Sequence, residues 1–142
     1  MNINFNTSQF DLEKIRKVIE NKIVDVRNKT LIRVYNIIAT MDEYPYWSGT
    51  YMASFNISVG SPDMSHVPLP TNSHGQASVH YARPRERSLG TVTDTNPYQT
   101  GYITNAVPHA YKVEFVGTPK HPDPWMIAHH AVNSVRTSLR FF

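Results

Sequence analysis

Apolar residues recur every three or four places along the first third of the chain, at Leu12, Ile15, Val18, Ile19, Ile23, Val26, Leu31, Val34, Tyr35, Ile38 and Met41. Between them stand Lys14, Arg16, Lys17, Glu20, Lys22, Asp25 and Arg27. This spacing places the apolar side chains on one side of a coil with 3.6 residues per turn, and it predicts an amphipathic helix from Ser8 to Met41. Thr7 or Ser8 is expected to cap it, with Asp11 in the first turn, where the helix dipole favours a carboxylate. Neither proline nor glycine interrupts the pattern before Pro45. At 1.5 Å per residue the helix reaches roughly 50 Å, longer than a globule of this size needs. Either it is a core helix along its whole length, with a bend allowed near Asn28 to Thr30, or part of its apolar face is left for a neighbouring subunit.

After the turn signal Asp42-Glu43-Tyr44-Pro45 the period changes from about four to two. Phe55, Ile57 and Val59 alternate with Ser54, Asn56 and Ser58, which predicts a half-buried strand ended by Gly60-Ser61-Pro62. From there to about Gly75, prolines at 62, 68 and 70 with Ser, Asn and His predict a long loop, of the kind that a compact domain keeps for function. Ala77 to Ala82 predicts a short strand, Tyr102 to Thr104 another, and Val107 to Phe115 a short helix or irregular turn. A second amphipathic helix is expected over Pro124 to Leu139, through Trp125, Ile127, Ala128, Ala131, Val132 and Val135. The expected class is α+β in a single domain over 1–142: a long helix (8–41) across a small antiparallel sheet region with long loops (54–117), then a C-terminal helix (124–139).

Composition narrows the chemistry. The 142 residues include no cysteine, which removes disulfides, thiolate metal sites and cysteine nucleophiles. Met1 to Phe10 does not read as a secretory signal, and no apolar run approaches the roughly 20 residues of a membrane span, so a cytoplasmic chain is expected. A net charge of +3 is a mild basic excess, weaker than dedicated nucleic-acid binders usually carry. Arg83, Arg85 and Arg87 form a local cluster that suits DNA or an acidic partner, or simply a solvated loop. Seven histidines invite a metal site. Yet His129 and His130 point about 100° apart on a helix, and His66, His74 and His80 lack a carboxylate cluster beside them. Ser48 and Ser88 sit in no nucleophile elbow, and Asp94, Glu114 and Asp123 stand apart in sequence, so neither an enzyme nor a cofactor is expected. For Glu114 the ordinary roles are pairing with a neighbour's basic residue or accepting backbone N–H bonds.

Two segments stand out, Tyr46 to Ser54 and Ile103 to Glu114, each joining a turn signal, small residues and aromatics to a short alternating run. With the long first helix, Ser48-Gly49-Thr50 and Ala53-Ser54 before a strand, Asn105-Ala106-Val107-Pro108-His109-Ala110 followed by Glu114 and Gly117, and Pro122-Asp123-Pro124-Trp125-Met126 before a last helix, the chain resembles the tail-component or tail-completion proteins of long-tailed bacteriophages. Ser48 stands where that family has threonine, His109 where it has tyrosine, and one extra residue separates Glu114 from Gly117.

The resemblance implies a structural virion protein, made in the host cytoplasm and assembled as a homo-oligomeric ring, a hexamer, at the head-to-tail junction or the top of the tail. Neighbouring neck, connector or tail-tube proteins would be its partners, with genomic DNA in the channel as a further contact. It also implies that the Gly60 to His74 loop and the segment Ser138 to Phe142 dock on adjacent rings, which places Pro62, Val67, Pro68, Leu69, Pro70, Glu114, Phe141 and Phe142 at the interface. A tail terminator of the same ring type is the near alternative. A nucleic-acid-binding accessory protein using the arginine cluster with Tyr81 and Tyr98 is the more distant one, and a histidine metalloenzyme the most distant.

Overall fold

A computed structural model describes residues 7–41, 50–67, 92–119 and 121–139. The expected α+β architecture is present: a long helix α1 (Thr7–Ala39), a one-turn helix α2 (Thr50–Ala53), strands β1 (Phe55–Val59) and β2 (Gly101–Asn105), a π-helical turn Lys112–Val116, and a C-terminal helix α3 (Ile127–Leu139). Helix α1 runs 33 residues without a break. It already includes Thr7 and Ser8, so neither stands outside the helix as a cap, and Asp11 lies just past the first turn. The predicted strand 77–82 and the arginine cluster lie outside the described residues, as do Pro68, Leu69, Pro70, Phe141 and Phe142.

Among the described residues the sheet is a single antiparallel pair, with Phe55 facing Asn105, Ile57 facing Ile103 and Val59 facing Gly101. A Cβ at Gly101 would stand 2.9 Å from a methyl of Leu31, which α1 presses against the strand, so a larger residue there requires the Leu31 side chain to shift. The core falls in two adjoining clusters. Val34 and Ile38 of α1 meet Tyr51, Met52, Phe55, Val107, Val113 and the Ile127, Ala131 and Val135 stripe of α3. Leu31 and Tyr35 meet Ile57 and Val92. Burying such side chains is worth about 1.5–3 kcal/mol each, so these clusters hold α1 to the rest of the molecule.

Strand β1 departs from the half-buried expectation. Asn56 and Ser58 are as buried as Phe55 and Ile57, because the chain after Gly60 folds back over the polar face. Asn56 Nδ2 donates to the Ser65 carbonyl at 2.6 Å. Ser58 Oγ donates to the Ser61 carbonyl and accepts from the Asp63 N–H, and the Val67 N–H donates to Ser54 Oγ at 2.9 Å. A polar strand face therefore becomes interior by serving as hydrogen-bond partner to a loop that has no secondary structure of its own.

Candidate functional site

The two segments singled out in the sequence meet in the structure. Asn105, the last residue of β2, donates from Nδ2 to the Tyr51 carbonyl at 2.8 Å, which also accepts the Ser54 N–H at 3.2 Å, so the one-turn helix α2 is tied to the end of β2. The Tyr51 ring stands edge-on to Phe55, with centroids 5.2 Å apart, and its hydroxyl donates to Glu114 Oε1. That same oxygen accepts the Ala128 N–H at 3.0 Å. Ala128 is the second residue of α3, so a carboxylate distant in sequence caps this helix at the end where its dipole is positive.

Glu114 itself is placed by the π-helical turn, which directs it inward while Phe115 and Val116 point out. Gly117 ends the turn at φ +87°, and a Cβ there would run into the Pro122 carbonyl. The backbone then doubles back through the Thr118 to His121 bridge. His121 stacks on Trp125 at 4.4 Å, and the Trp125 N–H donates to the Val113 carbonyl. Met126 takes a left-handed φ of 49°. These constraints explain why α3 begins at Ile127 and not at Pro124: the backbone of Trp125 is committed to Val113 before the helical ladder starts.

Burial, and then the hydrogen bond to Glu114, hold the Tyr51 hydroxyl far above the ordinary tyrosine range, so it remains a donor. Glu114 is only 6% exposed, and its Oε2 meets no donor among the described residues. Nearby, His109 tilts toward Tyr51 with ring centroids 6.3 Å apart, and burial lowers its pKa below the usual 6.5. The arrangement is a structural lock joining α2, β2, the π-helical turn and α3.

Two expected interface residues therefore turn inward. Glu114 and Val67 are buried against their own chain, because the first caps α3 and the second is tied to Ser54. Pro62 is exposed on the loop after β1. No group of three or more His, Asp or Glu able to hold a metal occurs among the described residues. Also among these residues, no helix is long and apolar enough to cross a membrane.

The surface that stands out is on α1. Leu12, Ile15, Val18, Ile19, Ile23 and Val26 are all 40% or more exposed. Ile19, Ile23 and Val26, with Lys22 and Arg27, line an open depression on this helix. Over the same length, the side of α1 that faces the protein is polar. The Tyr98 hydroxyl donates to Glu20 at 2.8 Å and accepts from Arg16 at 3.5 Å. Arg16 Nε also donates to Glu20 at 2.9 Å, and the two bonds that Glu20 accepts, Tyr98's first, hold its carboxyl below the ordinary range. Arg27 reaches the carbonyls of Asp94, Asn96 and Gln99 at 2.6, 2.7 and 3.0 Å. A smaller apolar patch is formed by Tyr111, Phe115 and Val116, with the first two rings 5.6 Å apart. Comparison with protein families, characterised proteins and solved structures found no match.

Proposed function

We propose that the chain is a structural virion protein of a long-tailed bacteriophage. It forms a homo-oligomeric ring, a hexamer, at the head-to-tail junction or the top of the tail and acts in assembly, not in catalysis. The observation that carries this reading is the uncovered apolar face on the N-terminal half of α1. Exposed apolar surface of that extent on a folded chain marks a contact with another macromolecule. The interior polar groups agree with it, since the buried Glu114 and Tyr51 and the half-buried Asn105 are committed to holding secondary elements together. That local framework is also the one on which the resemblance to tail-completion proteins rests.

In this role the work is geometric. Equivalent weak contacts around a ring add up once neighbours supply complementary edges. The test is electron microscopy of lysates from a phage with this gene deleted. Filled heads lying apart from finished tails are the expected result. Overlong or ragged tails would reassign the chain to tail termination, and normal infectious particles would overturn the proposal.

A further inference from the structure

Leu12, Ile15, Ile19, Ile23 and Val26 are spaced three, four, four and three residues apart, so the row reads the same from either end about Ile19. At about 100° per residue these five lie within an arc of about 80°, and that arc is rotated by about 110° from the core-facing arc of Leu31, Val34, Tyr35 and Ile38. Arg16, Glu20 and Arg27 fall on the core-facing arc, which the 94–99 turn covers. The exposed row is thus a second apolar face, and not an overhang of the first. We infer that it docks a second copy of this chain, helix α1 against helix α1 and antiparallel, with Ile19 on the two-fold axis.

A two-fold contact must be self-complementary, and reversal about Ile19 sets Leu12 against Val26 and Ile15 against Ile23 of the other copy. The charges agree with this direction. One flank of the row carries Asp11 and Lys14 toward its start and Lys22, Asp25 and Lys29 toward its end. Asp25 already bonds Lys29 at 2.9 Å and approaches Lys22 at 4.0 Å. In this register Lys14 of one copy comes within one residue of the position facing Asp25 of the other, an opposite-charge contact, while Asp11 falls midway between Asp25 and Lys29. Length agrees as well. The same register sets Thr7, the first described residue of α1, opposite Leu31, where the packed body begins. The second helix therefore lies along the exposed face of this segment, about 110° around α1 from the face that the 94–99 turn covers.

A row of five side chains over about 21 Å is a small interface, for which micromolar dissociation is expected. The inference stands on α1 alone and does not depend on the virion reading. Sedimentation of the full chain between 1 and 100 µM should show a species of twice the 16.2 kDa chain mass. Ile19→Asp should weaken association at least tenfold with an unchanged circular dichroism spectrum, because Ile19 lies outside the core.

The absence of cysteine makes the register directly readable. Under mild oxidation Ile19→Cys should form a disulfide-linked dimer. Leu12→Cys alone should not, whereas Leu12→Cys mixed with Val26→Cys should cross-link. A single 16.2 kDa species at 100 µM would overturn the inference. So would a larger assembly in which Ile19→Cys fails to cross-link, or self-linking of Leu12→Cys as efficient as that of Ile19→Cys.

Discussion

Glu114 holds together elements that have little other reason to meet. One of its oxygens takes both the Tyr51 hydroxyl and the Ala128 N–H, so removing either partner leaves a buried polar group short of a hydrogen bond. Tyr51→Phe should cost about 1–3 kcal/mol, and Glu114→Ala more, because it strands two donors and opens a cavity. Urea denaturation followed by near- and far-ultraviolet circular dichroism measures both. Beside this pair, His109 has its pKa lowered by burial, so between that value and about 6.5 the unfolded chain binds more protons than the folded one. Stability should therefore be fully present above about pH 6.5 and fall as the pH drops through this window. His109→Gln should flatten that part of the profile when unfolding free energy is measured from pH 7.5 downward.

Helix α1 changes character along its length. Its C-terminal half is held by apolar contacts at Leu31, Val34, Tyr35 and Ile38. The part before Leu31 is held to the subunit by polar bonds, chiefly those of Arg27, whose side chain is 11% exposed. The guanidinium spans three carbonyls of the 94–99 segment, and Asn28 adds a bond to Asp94. Arg27→Ala should lower stability by about 2 kcal/mol and speed amide exchange in residues 94–100. Arg27→Lys should recover little, since a single ammonium cannot span the same three acceptors. Equal exchange rates in wild type and Arg27→Ala would show that the turn is held by something else.

For the whole molecule, the consequence is a lopsided body: packed around one half of a long helix and apolar on the outside of the other. Most of a helix's stability in a protein comes from packing its apolar face rather than from propensity, and this part of α1 lacks that packing within the subunit. Covering the exposed face by self-association stabilises only the folded form, so the melting temperature should depend on concentration. We expect the midpoint to rise by several degrees between 1 and 100 µM for the native chain and to stay flat for Ile19→Asp, by differential scanning fluorimetry. The same face serves the proposed ring, where neighbours would replace the second copy.

Much of the architecture could be read from residue spacing. The three-and-four pattern marked α1 and α3, the alternation through Phe55, Ile57 and Val59 marked β1, and proline and glycine marked the irregular connections, because these signals are set by local backbone geometry. Asn105, Glu114 and Gly117 also stood out as a group, although their partners did not. Spacing alone could not show that Asn56 and Ser58 would be buried, since that depends on a loop returning to bond them. Nor could it turn Glu114 and Val67 inward, because capping by Glu114 requires α3 to arrive from elsewhere in the chain. The division of α1 likewise belongs to the tertiary structure. Along the sequence both rows follow the same three-and-four pattern, and helical geometry sets them on different arcs without saying which arc the rest of the chain covers. Only the packing of β1, β2 and α3 against the later residues leaves the earlier row facing outward.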